Sequence, residues 1–369
     1  MLDKRVMNCQ EATKSYEAWL GNQTRVIEGD LRLKHERMSA DIFSFMRATF
    51  YRWLELWKET CADLVNAPVV LAVGDLHVEN FGTWRDQEGR LVWGVNDFDE
   101  AFALPYTNDL VRLALSAHLA IATNHLALRP ADACDAILRG YAEELKEGGS
   151  PFVLGERHEW LRSTVASKLR DPIRFWEKFN TLPTLKTRIP GKAAKVLQSA
   201  MPSRRMRYRV VHRVAGLGSL GRQRFAGLGE WEGGQIAREA KAVVPSACGW
   251  LSGENDNASH YDRIIKQAIR CSDPFLTLRK GWVVRRLAPD CSRVRLAMLP
   301  KGRDEYKLLV AMGKETANVH LGSKRAAGRV KCDLNKRPDD WLHTAAKAMV
   351  QTTTEDWLSW CAAGHGSGL

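Results

Sequence analysis

The segment Gly74-Asp75-Leu76-His77-Val78-Glu79-Asn80-Phe81-Gly82 is followed, after a short insert, by Val95-Asn96-Asp97-Phe98-Asp99-Glu100-Ala101. It sets an Asp, an Asn five residues on, and a second Asp beyond a hairpin-like stretch, Arg85-Asp86-Gln87-Glu88-Gly89-Arg90. Phosphoryl transfer from a magnesium nucleotide needs such a set: a group that positions the acceptor hydroxyl, an amide that holds metal, and a carboxylate that bridges metal and phosphates. Magnesium favours oxygen ligands and keeps several waters, so one or two carboxylates plus an Asn suffice. Strands must bring the two acidic motifs together, and Val69-Val70-Leu71-Ala72-Val73 and Leu91-Val92-Trp93-Gly94-Val95 both read as short buried strands.

Each residue alone has an ordinary reading. A lone Asp75 at a strand end is a turn former, and His77 is a packed or capping histidine. Asp97 and Asp99 alternate along a strand end, so one of them could face solvent. The joint spacing of Asp75, Asn80 and Asp97, each after an apolar strand, shifts the balance towards catalysis.

These motifs resemble the catalytic loop and metal motif of aminoglycoside phosphotransferases and choline kinases, in the protein-kinase-like superfamily. The sequence most resembles the bacterial family known as domain of unknown function 2252, from about Lys34 to the C-terminal helices. The densest part is residues 74–116, which include Asn108-Asp109-Leu110-Val111-Arg112-Leu113. The resemblance implies an α+β, two-lobed kinase-like fold, ATP and Mg2+ as cofactors, and Asp75 as the catalytic residue. It departs at Val73, where kinases carry a His two residues before the catalytic Asp, so that structural hydrogen bond must be replaced.

Composition bounds the alternatives. A chain of 369 residues can bury a sizeable core and suggests two lobes. No apolar run approaches the roughly 18 residues of a membrane span, and no apolar segment follows Met1-Leu2-Asp3-Lys4-Arg5, so a cytoplasmic protein without membrane partners is expected. The eight cysteines form no CxxC motif and are expected to be reduced thiols. A net charge of +12 attracts polyanions, with clusters at Arg204-Arg205-Met206-Arg207-Tyr208-Arg209, at Arg279-Lys280 with Arg285-Arg286, and at Lys324-Arg325. Without a zinc finger, RNA-recognition signature or basic zipper, nucleotide is preferred to nucleic acid as the partner. Nothing in the sequence signals oligomeric state.

A second signal lies at Gly216-Leu217-Gly218-Ser219-Leu220-Gly221, between strand-like 210–215 and 222–228. Glycines at the first, third and sixth positions let backbone N–H groups approach phosphates. A dinucleotide site would open a helix here, whereas strand-like sequence follows, which fits a kinase-type loop. Such a loop needs a lysine on a nearby strand; Lys241 is preferred over Arg238, and the resemblance also implies a Lys five residues before a Ser, here Ser246. A helix over about 258–271 should supply that lysine's acidic partner. The expected Glu falls on Lys266, which leaves Asp262 or Glu254.

Elsewhere the pattern predicts helices over 42–60, 109–127 and 131–147, less regular helix over 156–180, and a linker over 181–205. The strand Trp282–Leu287, the helix Glu305–His320 and helices after Pro338 complete the chain. With the catalytic loop ahead of the glycine-rich one, the order reads as a circular permutation. A helix-rich large lobe would span 1–205, a small antiparallel β lobe 206–290, and helices returning to the large lobe 291–369. If so, the loop at 216–221 must face Asp97, and the helix ending at His320 must pack beside the strand before Asp75.

Three functions compete. The first is an ATP- and Mg2+-dependent phosphotransferase with an acceptor of open identity, in which Asp75 is catalytic and Asn80, Asp97 and Asp99 hold metal. Gly216, Gly218, Ser219, Gly221 and Lys241 would then bind the nucleotide. The second is a metal-dependent phosphoesterase, suggested by the Asp-x-His of Asp75 and His77 but lacking further ligands: His125 follows Asn124 without the glycine, and His365 lies in a Gly-rich tail. The third is a kinase-like scaffold that binds nucleotide without catalysis.

Overall fold

The computed structural model describes residues 7–155, 157–165, 171–253, 257–291, 293–299 and 304–365. Four helices open the chain: α1 (Cys9–Gln23), α2 (Glu28–Ala40), α3 (Ile42–Ala48) and α4 (Phe50–Thr60). Asn8 and Glu11 cap the start of α1 reciprocally. The single helix expected over 42–60 breaks at Thr49, whose hydroxyl donates to the Phe45 carbonyl at 2.7 Å while its backbone leaves the helical region. At the break the Met46 carbonyl accepts the Thr49 N–H at 3.4 Å, and the Met46 and Arg47 carbonyls both face the candidate site below.

Next come β1 (Val69–Ala72), β2 (Phe81–Arg85), β3 (Leu91–Val95), β4 (Phe102–Pro105), α5 (Tyr106–Ala122), α6 (Pro130–Glu147) and β5 (Phe152–Val153). β1 pairs with β4, and β2, β3 and β5 form a three-stranded sheet. α6 starts with Pro130 in its first turn and stops at Gly148, whose φ of 91° places it in the left-handed region.

Beyond α7 (Glu159–Val165) and α8 (Pro172–Asn180), the stretch expected as a linker contains α9 (Gly191–Ala200). Ala193, Val196 and Leu197 of α9 pack on Phe225, Ala240, Trp282 and Val284 of a sheet. Prolines 183, 190 and 202 bound this helix instead of marking a free connection. The sheet consists of β6 (Arg209–His212), β7 (Arg224–Trp231), β8 (Gly234–Ala242), β9 (Thr277–Arg279) and β10 (Trp282–Leu287), antiparallel in the order β6-β7-β8-β10-β9. α10 (Ala247–Ser252) and α11 (Asn257–Gln267) lie between β8 and β9.

α12 (Glu305–Leu321), α13 (Lys324–Leu334) and α14 (Trp341–Trp360) close the described chain. α12 and α6 approach closely at two glycines: a Cβ on Gly140 would lie 2.0 Å from the Val310 carbonyl oxygen, and one on Gly313 would lie 2.1 Å from that of Ile137. The main core joins α4, α5, α6, α12 and α14 to β1 and β3, with Tyr106, Leu110, Leu113, Ile137, Tyr141, Leu309 and Met349 buried in it. The architecture is mixed α and β, as expected. No described helix is long and apolar enough to cross a membrane, and all eight cysteines are free.

Candidate functional site

The turn after β1 carries Asp75, and a carboxylate holds it from behind. Val73 and Gly74 donate their backbone N–H groups to Asp109 at 2.7 and 2.9 Å. His320, near the end of α12, reaches the same carboxylate at 3.0 Å. These bonds brace the backbone just ahead of Asp75 and set α12 beside β1, the strand leading to it. Gly74 has φ of 83°, and a Cβ there would lie 2.2 Å from the Glu100 carbonyl oxygen, so only glycine fits.

Arg112, one turn along α5 from Asp109, grips Asp75. Its Nε and Nη2 donate to Asp75 Oδ1 at 2.8 and 2.5 Å, and Nη2 also donates to the Met46 carbonyl at 2.9 Å. The guanidinium lies over the Phe50 and Trp53 rings, at 5.0 and 4.9 Å from their centroids. Asp75 Oδ2 points towards the glycine-rich turn, 3.6 Å from where a Cβ on Gly218 would sit.

The β2–β3 hairpin explains how Asn80 and Asp97 meet. Phe81 pairs with Val95, so the residues just outside the ladder are neighbours, and Asn96 N–H donates to the Asn80 carbonyl at 2.9 Å. Asn80 Nδ2 donates to the backbone carbonyls of Asp75 and Asp97 at 3.2 and 3.1 Å, which fixes its amide orientation. Its Oδ1 is buried without a hydrogen-bond partner, as is Asp99 Oδ2. Native interiors rarely leave such acceptors unsatisfied.

Lys241 Nζ lies 3.2 Å from Asp97 Oδ1 and 2.5 Å from Asp99 Oδ1, and Arg293 binds Asp97 Oδ2. Burial alone would raise the Asp97 carboxyl, but Lys241, Arg293 and Arg285 outweigh it and hold the group well below the usual carboxylate range. Burial lowers the Lys241 ammonium, with Asp97 and Asp99 opposing that shift. Burial, with Arg47, Arg293 and Arg112 nearby, keeps the His77 imidazole well below its ordinary value, and its Nδ1 accepts from Glu79 N–H at 3.2 Å.

The expectation that α11 would partner Lys241 fails, because the partners are Asp97 and Asp99 themselves. Asp262 pairs with Lys266 on an exposed surface, and Glu254 lies outside the described residues. Lys241 and Glu239 alternate onto the same face of β8, with Arg224 opposite Lys241 on β7 and Arg285 opposite Glu239 on β10. Burial would raise Glu239, but Arg213, Arg224 and Arg285 hold it well below the carboxylate range. Arg238 turns to the other face, over the Phe275 ring.

The glycine-rich turn reaches this cleft. Gly216 and Gly221 have φ of 75° and 92°, and Leu217–Ser219 forms a short 3₁₀ turn between them. Leu217 and Leu220 anchor it among Met38, Phe45 and Ala48. A Cβ on Gly218 would approach the Arg47 carbonyl oxygen to 2.9 Å. Ser219 Oγ accepts from Arg224 Nη2 at 2.6 Å. Gly216, Gly218 and Ser219 line one cavity with Asp75, Asn80, Asp97 and Asp99, and its volume is about 40 Å³.

Asp109, Arg112, Arg222, Arg47 and Arg293 are among the site residues that carried no assigned role in the sequence. Asp109 and Arg112 sit in a quoted segment, three apart on one helix, which is the spacing that puts both on one face. Arg222 follows Gly221 directly and binds Glu100 at 2.9 Å and Asp99 at 3.6 Å. Arg47 binds Glu79 at 2.7 Å. Arg293 lies outside every motif and no local signal points to it.

Asn80, Asp97 and Asp99 are hard oxygen donors of the kind magnesium takes, and the unpartnered Asn80 Oδ1 fits a metal ligand. Fold and site together define a mixed α+β protein whose buried, arginine-rich acidic cleft is roofed by a glycine turn. The chain belongs to the family described as an uncharacterized protein conserved in bacteria (DUF2252), whose family model matches residues 25–173 and 181–363. Neither the curated proteins nor the solved structures compared with it contain a match.

Proposed function

We propose that this protein is an ATP- and Mg2+-dependent phosphotransferase of circularly permuted, two-lobed kinase-like architecture, acting in the cytoplasm on a hydroxyl of a small acceptor. The observation that carries the reading is Asn80 Oδ1, buried and without a hydrogen-bond partner beside Asp97 and Asp99 in a cleft shared with the glycine turn. Asn80, Asp97 and Asp99 would hold the metal, which neutralises phosphate charge as it develops. Lys241 would exchange a carboxylate contact for a phosphate contact, with the turn at Gly216 and Gly218 covering the phosphates; Ser219 N–H is bonded to the Gly216 carbonyl, and Gly221 packs on Leu31 behind the cavity lining. Asp75 orients the acceptor hydroxyl through Oδ2 while Arg112 fixes Oδ1.

Charge supports the same reading. Arg47, Arg112, Arg213, Arg222, Arg224, Lys241, Arg285 and Arg293 slightly outnumber Asp75, Glu79, Asp97, Asp99, Glu100, Asp109 and Glu239, so the site can accept an anion. A ligand pocket for a molecule of nucleotide size spans about 300 Å³ or more, so the turn at 216–221 lifts off Arg47 when nucleotide enters.

The test is equilibrium binding of a non-hydrolysable ATP analogue with and without magnesium, in the native protein, Asn80→Ala and Asp97→Asn. Magnesium should tighten binding in the native protein alone. Binding indifferent to both magnesium and the substitutions refutes the reading. A nucleotide-binding scaffold is the second reading, favoured by the cations that already occupy Asp97, and it predicts metal-dependent binding without transfer to any acceptor.

A further inference from the structure

A second cluster of metal-ligating side chains lies outside the cleft, where α5, α6 and α14 meet. His118 comes from α5, Cys134 from α6 and His343 from the start of α14, and one ligand atom of each lies within 4.8 Å of the others. His118 Nε2 is 3.2 Å from Cys134 Sγ. The two imidazole rings are 5.4 Å apart between centroids. Cys134 is almost fully buried, and His343 Nδ1 is buried with no hydrogen-bond partner. We propose that His118, Cys134 and His343 form a mononuclear site for a borderline-soft divalent cation, zinc above all, with water as the fourth ligand.

The geometry suits that ion. Zinc binds imidazole nitrogen at about 2.0 Å and thiolate sulfur at about 2.3 Å in a tetrahedron, whose edges for one sulfur ligand are then roughly 3.3–3.5 Å. The His118–Cys134 separation is already at that scale, and small side-chain shifts bring His343 in. Two imidazoles and a thiolate select zinc over magnesium, which prefers oxygen.

Cys134 is a free thiol 3.2 Å from His118 Nε2. On metal binding the S–H bond breaks, the sulfur–metal bond forms, and the proton passes to solvent. The site would staple three helices of the main core. His118 lies six residues beyond Arg112 on α5, about 9 Å along the helix, so the metal would anchor the helix that holds Asp75.

The experiment is titration of the full chain with Co2+, followed by displacement with Zn2+. The expected result is one equivalent of cobalt with a thiolate-to-cobalt charge-transfer band in the near ultraviolet, bleached by zinc. Cys134→Ser should lose the band, and His343→Ala should weaken cobalt binding by at least about tenfold. His343 is only partly buried at a helix start, so its variant keeps the test decisive if Cys134→Ser fails to fold. No band in the native protein, a band that survives Cys134→Ser, or unchanged affinity in His343→Ala would each overturn the assignment. Cobalt bound at the carboxylates of the Asp97 cleft gives no thiolate band, so the two sites are told apart directly.

Discussion

Glu315 on α12 lies behind the strand that carries Asp97 and titrates near neutrality. Its Oε1 accepts the Val95 N–H at 3.0 Å, and Oε2 lies 3.4 Å from Asn318 Nδ2. Burial raises the carboxyl from the ordinary 4.5 to about 7, although Arg270 and the Val95 N–H pull the other way. A folded-state value above the unfolded one means that the native protein holds the proton more tightly. The contribution to stability is therefore fully present below 4.5 and is lost as pH rises through about 7. At about 1.36 kcal/mol per pH unit, the full loss is about 3 kcal/mol, most of it between about pH 5 and about pH 8.

Glu315→Gln removes that titration while keeping the acceptor for Val95. Its new amide group faces Asn318 Nδ2, which costs about 1 kcal/mol at every pH. The variant should thus be close to the native protein, or slightly weaker, at the acid end and about 2 kcal/mol more stable at the alkaline end. Urea unfolding of both proteins across this range measures the difference, in which the titration of every other group cancels. Parallel stability profiles for the two proteins would show that Glu315 does not carry the linkage.

Asp75→Asn keeps the metal-side groups intact, so nucleotide binding should persist while transfer falls by about two to four decades, and equal losses in both would make Asp75 a ligand. Gly218→Ala should lower turnover far more than stability, because its Cβ meets the Arg47 carbonyl at the lip of the cleft; parallel melting and rate measurements check this. Gly140→Ala should lose about 1–3 kcal/mol or more, since α6 must move away from Val310, and an unchanged denaturation midpoint would contradict the close approach of α6 and α12.

Asp75, Asn80 and Asp97 were legible in the sequence because short strands fix their spacing and apolar runs announce the strands. Lys241 was legible for the same reason, and the turn at 216–221 was placed by its glycines. The break at Thr49 was not: the apolar stripe of Phe45, Phe50, Trp53 and Trp57 runs across it, and only the hydroxyl bond to Phe45 reveals the interruption. α9 was hidden because its bounding prolines read as linker, while its apolar residues find their partners on strands later in the chain. The partner of Lys241 was sought on a helix, but two carboxylates 142–144 residues earlier supply it, a pairing no local pattern encodes. Arg293 escaped for the same reason.

The support behind Asp75 has a consequence for how the molecule is made. Asp109 holds Val73 and Gly74, yet it meets His320 across 211 residues, and Val95 meets Glu315 across 220. A ribosome adding roughly 5–20 residues per second needs about 10–40 s to bridge the shorter of these gaps. During that interval the acidic turns of 75–99 lack His320 throughout, and Lys241 and Arg293 are made only about two-thirds and nine-tenths of the way through it. Contacts this distant form slowly even in the finished chain. The support of the cleft is therefore completed only once the chain has grown past His320.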